Sequence, residues 1–178
     1  MGEKRKRAIV YLYTGTGAGK TVSSLGLALR SLGHDHKVVM VQFMKGRKDV
    51  GEYMVQKRLS PNYEVHQFGR PEFINMKNPD PADIEFARKG LEFAKKIANE
   101  KAPNLLILDE INLAVAVGLL KLDEVLNFLD EVPPETKVVI TGRFADKKLI
   151  DRADFATEIK QIKRPDLSVV GPHEGIEY

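Results

Sequence analysis

The sequence contains no cysteine, and that absence removes several chemistries at once. It excludes a disulfide framework, a thiolate nucleophile and a cysteine-ligated zinc. Long apolar runs are missing too, since none approaches the ~20 residues that span a bilayer. The start, Met1-Gly2-Glu3-Lys4-Arg5-Lys6-Arg7, leads straight into a strand-like run without the apolar stretch of a signal peptide. These absences make a cytoplasmic chain with no membrane partner the simplest expectation. A large charge of one sign is also lacking, because 28 basic and 25 acidic residues leave a formal net charge of +3. The basic block at residues 4–7 reads as a solvated tail. No stripe of interleaved aromatic and basic residues suits single strands, so nucleic acid is not an expected partner.

What is present fits one globular domain over residues 1–178, with 43% hydrophobic and 30% charged residues. Short apolar runs alternate with helical periodicity. Strands are expected at residues 8–13, 37–43, 63–68, 105–108 and 138–141, with an edge strand over 155–162. Val22, Leu25, Leu29 and Leu32 recur at three- to four-residue spacing, giving a helix with one apolar face that ends at Gly33. A short helix is expected around 52–59. Asp80 is placed as an N-cap with Pro81 at the first helical position, opening a helix through Ala98. Further helices are expected at 122–132 and 146–151. The loop at 69–79 carries Phe73, Ile74 and Met76, and a long loop with apolar side chains suits either binding or folding back on the core. Strands separated by helices predict an α/β fold, three-layered and P-loop NTPase-like, with a mostly parallel sheet.

Chemistry concentrates in Thr14-Gly15-Thr16-Gly17-Ala18-Gly19-Lys20-Thr21, between the first strand and the first helix. Against G-x-x-x-x-G-K-[ST] it departs only at Thr14. Glycines let successive N–H groups converge on one anion, and the helix N-terminus adds its dipole. Gly15, Thr16, Gly17, Ala18, Gly19, Lys20, Thr21 and Val22 are therefore expected around the triphosphate of ATP. Lys20 supplies a point charge, and the Thr21 hydroxyl is placed for Mg²⁺. Asp109 and Glu110, at the tip of a strand, can reach that metal, although an acidic pair after a strand also serves as a helix cap. Arg143 follows a strand's C-terminal end, the edge where α/β sheets bind ligands. Arg30 is ambiguous from spacing. His34 and His36 share a turn, and two histidines alone make no metal site. No guanine-reading Asn-Lys-x-Asp segment is present.

Several short motifs in one order resemble the P-loop ATP:corrinoid adenosyltransferases. They are the segment 13–21, Ala28-Leu29-Arg30-Ser31-Leu32-Gly33-His34, Val41-Gln42-Phe43-Met44-Lys45-Gly46, Leu108-Asp109-Glu110-Ile111-Asn112 and Thr141-Gly142-Arg143. Ala153-Asp154, Thr157-Glu158 and the tail Gly175-Ile176-Glu177-Tyr178 complete the set, which spans about residues 9–178. Thr14 in place of glycine is itself a feature of that family. The resemblance implies transfer of the 5′-deoxyadenosyl group of ATP to the cobalt of a reduced corrinoid, releasing triphosphate. It implies catalytic roles for Lys20, Thr21 and Glu110, Mg²⁺ on Thr21 and Glu110 with Asp109, and Arg30 and Arg143 near the nucleotide. Lys45 and Phe73 are implied on the corrinoid side, although Asn75 stands where a tryptophan is frequent. A homodimer and an electron-donor protein are the implied partners. The residues alone also suit a P-loop ATPase regulating a partner, or a nucleotide-binding module without catalysis.

Overall fold

Aliphatic runs too short for helices set the frame of this computed structural model, which describes residues 7–72, 75–76, 78–163, 165 and 171–178. They form β1 (Val10–Thr14), β2 (Val38–Phe43), β3 (Tyr63–Phe68), β4 (Leu105–Asp109), β5 (Lys137–Thr141) and β6 (Phe155–Glu158). The strands join in the order β3-β2-β4-β5-β1-β6, and every pairing is parallel. Between them lie α1 (Lys20–Leu32), α2 (Gly51–Met54), α3 (Gln56–Leu59), α4 (Pro81–Glu100), α5 (Ile111–Ala116), α6 (Leu122–Glu131) and α7 (Lys147–Arg152).

Side chains alternate across the strands, so one sheet builds two cores. Val39, Val41, Phe43, Leu106, Leu108, Val138 and Ile140 face α4 to α7, with Phe128 and Leu129 packed on them. Val38, Met40, Leu105, Ile107 and Val139 face the other way, beneath Ala28 of α1 and beside Tyr63 and Val65. Each fully buried aliphatic side chain here contributes roughly 1.5–3 kcal/mol. The α4 start is an Asp80 capping box: the Asp80 carboxylate accepts from the backbone, and Asp83 answers the Asp80 N–H. Among the described residues no helix is long and apolar enough to cross a membrane.

Two local expectations are corrected, and two features were not foreseen. The helix expected around 52–59 is two four-residue helices, α2 and α3, joined at Val55. The strand β6 stops at Glu158; residues 159–161 leave the sheet and lie against the glycine-rich loop. The helix α5 was not foreseen, because it starts directly after the strand-ending acidic pair with no turn residue to announce it. Finally, α1 buries Lys20, Ser24 and Ala28, while Val22 is 60% and Leu29 69% exposed. Lys20 must turn inward to the loop it follows, which fixes the helix rotation, and small Ser24 and Ala28 then let α1 approach the sheet closely. Phe73 and residues 4–6 of the basic block lie outside the described residues.

Candidate active site

The ends of β1, β5, β4 and β2 lie side by side at the C-terminal edge of the sheet, and the candidate residues follow those ends. The loop after β1 is shaped by glycine. Gly15 has φ 104°, a left-handed conformation costly for other residues, and a Cβ on Gly17 would lie 2.8 Å from the Ile159 carbonyl oxygen. The Gly17 N–H donates to that carbonyl at 2.9 Å, so the chain after β6 braces the loop from behind. Thr14 also has a task that glycine could not perform: its hydroxyl accepts from the Ala145 N–H at 3.3 Å, tying down the turn that carries Arg143.

Lys20 is 5% exposed, and its Nζ donates to the Gly15 carbonyl at 2.9 Å and the Gly17 carbonyl at 2.7 Å. Burial pushes its pKa down, Glu110 pulls it back, and Arg143 and Asp109 act in opposite directions. No carboxylate pairs with it directly among the described residues, which leaves its charge for an incoming anion.

Asp109 is the hub of the site and fully buried. Its Oδ1 accepts from Thr21 Oγ1 at 2.9 Å and from Thr141 Oγ1 at 2.7 Å. Its Oδ2 accepts from Lys45 Nζ at 2.7 Å and from Gln42 Nε2 at 3.2 Å. Burial alone would raise its pKa, but the Lys45 charge and these hydrogen bonds outweigh burial and hold the carboxyl below its ordinary value. Lys45, placed on the corrinoid side by the resemblance, reaches with its ammonium to Asp109 and, at 3.3 Å, to Thr21 Oγ1.

Glu110 behaves differently from its neighbour. It occupies the N-cap position of α5 with φ 66°, yet its side chain makes no capping hydrogen bond. Its backbone N–H is held by Thr141 Oγ1 at 2.9 Å, while its buried Oε2 has no hydrogen-bond partner among the described residues. Burial, then the Asp109 charge, raises its pKa; Lys45, Lys20 and Arg143 oppose the rise. A left-handed non-glycine residue ending in an orphaned carboxylate oxygen is the kind of strain that functional sites retain.

These groups open on a cavity of about 890 Å³. One end is polar: residues 17–21, Lys45, Glu110 and Arg143. The other is apolar, walled by Val22, Leu25, Leu29 and Leu32 of α1 and by Val55, Leu59 and Tyr63 opposite. The apolar stripe read from the sequence is real: all four residues line the cavity, and Leu25 and Leu32 also pack against the core beneath α1. Glu52 and the tail residues Ile176 and Tyr178 also line it, and the Arg47 guanidinium lies 5.4 Å from the Tyr178 ring centroid. Arg143 is exposed at the cavity wall, whereas Arg30 is exposed on the last turn of α1, about 15 Å of helix rise from Lys20. Thr141, Gln42 and Glu52 were assigned no role from sequence; only Thr141, next to Gly142-Arg143 at a strand end, offered a signal.

Among the described residues no three His, Asp or Glu side chains form a metal cluster of their own. A divalent ion here therefore needs oxygens from its ligand beside those of the chain. Thr21 and Glu110 both line the cavity and fit that requirement, with Glu110 Oε2 unpartnered among the described residues and Asp109 directly behind Thr21.

Comparison with known proteins converges on one family. A solved structure, the flagellar accessory protein FlaH from Methanocaldococcus jannaschii, superposes with a TM-score of 0.53 at 15% identity, covering 88% of this chain and 72% of its own. That likeness shows the P-loop NTPase-like fold. A corrinoid adenosyltransferase from Pseudomonas aeruginosa is 32% identical over 174 residues, 97% of this chain and 85% of its own length. One from Escherichia coli K12 is 32% identical over 173 residues, 97% of this chain and 87% of its own. The family model described as ATP:corrinoid adenosyltransferase BtuR/CobO/CobP matches residues 6–178. With a braced phosphate loop, an inward lysine and a strand-end carboxylate network in place, the chain belongs to the ATP:corrinoid adenosyltransferase family.

Proposed function

We propose that the polar end of the cavity binds the triphosphate of ATP as a leaving group, while C5′ of the nucleoside points toward the cobalt of a reduced corrinoid. The observation that carries this reading is the glycine-shaped loop with its inward Lys20, set beside Thr21, Glu110 and Arg143 on one cavity. In the reaction the cobalt electron pair forms the carbon–cobalt bond as the C5′–oxygen bond breaks, and the electrons leave on triphosphate. The nucleophile is therefore the substrate metal, and the protein has only to align C5′ and receive charge.

Loop N–H groups and the N-terminus of α1 receive the phosphates, and Lys20 exchanges its two carbonyl partners for phosphate oxygens. Arg143 closes the same end from the turn after β5. Thr21 and Glu110, with Asp109 behind them, would hold Mg²⁺, which when bound neutralises charge on the departing triphosphate. Losing one such preorganised contact typically costs about 10²–10³ in rate. The apolar end of the cavity suits the less polar parts of the substrates. Lys45 and Phe73 on the corrinoid side, Arg30 near the nucleotide, a homodimer, an electron-donor protein and cytoplasmic residence belong to this proposal through the family.

The test is to mix the protein with ATP and chemically reduced corrinoid, follow the cobalt spectrum and identify the phosphate product. A carbon–cobalt spectrum with inorganic triphosphate supports transfer; ADP and phosphate without a spectral change would establish the ATPase reading. Glu110→Gln is expected to raise the Mg²⁺ concentration for half-maximal rate by about tenfold or more, with ATP affinity nearly unchanged. Titration of rate against Mg²⁺ checks this, and an unaltered midpoint would remove Glu110 from the metal.

A further inference from the structure

The Lys45 ammonium stands on Thr21, one of the two groups that the metal reading assigns to Mg²⁺, and on Asp109 directly behind it. Its Nζ is 2.7 Å from Asp109 Oδ2 and 3.3 Å from Thr21 Oγ1. Thr21 gives its own proton to Asp109 Oδ1 at 2.9 Å, so its lone pairs remain to accept from Lys45. A divalent ion on Thr21 needs those lone pairs. Two cations on one hydroxyl oxygen would repel strongly at that separation. We propose that Lys45 and the divalent cation compete for Thr21 and Asp109, and that metal with triphosphate displaces the Lys45 side chain into the cavity.

The proposal rests on the metal reading above and adds an order of events to it. Its geometry favours motion of the side chain over motion of the loop. A Cβ on Gly69 would lie 2.5 Å from the Lys45 backbone nitrogen, and one on Gly46 would lie 2.6 Å from the Gly69 carbonyl oxygen. The backbone at Lys45 is thus packed directly on that of its neighbour, while four methylenes leave the ammonium free to swing. A destination also exists. Gln42 Nε2 donates to both Asp109 Oδ2 at 3.2 Å and Glu52 Oε1 at 3.1 Å, so Glu52 lies one amide away, and it lines the cavity. Before metal arrives, the ammonium balances the buried carboxylate. Afterwards it delivers a positive charge to the cavity only when the nucleotide is loaded. Lys45 is in this sense a positioning residue whose charge is gated by the metal.

Mn²⁺ titrated into the complex of the protein with ATP, and followed by the electron paramagnetic resonance of the free ion, tests the competition. Lys45→Met is expected to bind Mn²⁺ at least about tenfold more tightly than the wild-type chain, because the competing charge is gone. Its melting temperature should also rise more on Mn²⁺ addition. Lys45→Arg, which keeps the charge, should bind Mn²⁺ no more tightly than wild type. Equal or weaker binding by Lys45→Met overturns the proposal, and so does Lys45→Arg binding as tightly as Lys45→Met. If Lys45→Met does not fold, Lys45→Gln gives the same readout. A separate arm addresses the metal reading: with ATP present, Thr21→Val should release Mn²⁺. No release would overturn both, whereas release without tightening in Lys45→Met overturns the competition alone.

Discussion

Lys20→Ala is expected to abolish adenosyl transfer and to weaken ATP binding by about 2–5 kcal/mol, a factor of roughly 30 to several thousand. The size follows from where the charge sits. The ammonium is almost sealed and, among the described residues, leans on two backbone carbonyls, so no other cation in the loop can replace it against a polyanion. Alanine removes the charge while the glycine-shaped backbone, braced by Ile159, keeps its path. The variant should therefore stay folded, with the loss confined to binding and turnover. Calorimetric titration with ATP, beside a melting curve, is the measurement. Near-normal ATP affinity in a folded variant would sink the phosphate-loop assignment.

Asp109→Ala should cost stability as well as turnover. Four donors converge on this carboxylate from β2, α1, β5 and the turn carrying Lys45, and all four lose their acceptor together. Breaking a buried ion pair typically costs about 3–5 kcal/mol, and the Lys45 side chain is 30% exposed, which places this case near the low end. For a domain of this size about 3 kcal/mol corresponds to a drop of roughly 6–12 °C in melting temperature. Asp109→Asn, which keeps the shape and accepts through one oxygen, should melt between Ala and wild type. A melting temperature unchanged in Asp109→Ala would mean that the network is not holding the ends of β2, β4 and β5 together with α1.

The contrast between Asp109 and Glu110 shows how far the sequence could be read. Both acids were visible at a strand tip, and both were assigned to the metal as a pair. Adjacent residues on a strand point to opposite sides, and Glu110 leaves the strand through a left-handed turn. One carboxylate thus goes under the loop and the other goes to the cavity, and no spacing rule distinguishes them. The α1 stripe teaches a related lesson. Periodicity reported that Val22, Leu25, Leu29 and Leu32 share a face, but a periodic face can meet a core or a ligand cavity equally well.

What the sequence determined by itself is local or repetitive. Short aliphatic runs became the strands, Asp80-Pro81 opened α4, and the glycines before Lys20-Thr21 marked a phosphate loop, because each depends on neighbours within a few residues. The order of the motifs along the chain was also enough to indicate the family. Tertiary structure decided everything that required two distant segments to meet. Thr141 joined Asp109 because β5 lies between β1 and β4, an order that parallel crossovers leave open in sequence. Lys45 reached Thr21 because β2 ends beside β4, and residues 159–161 reached Gly15 and Gly17 because β6 pairs with β1. Hydrogen bonds and charge act over a few ångströms, so their partners are chosen by the sheet order and not by separation along the chain.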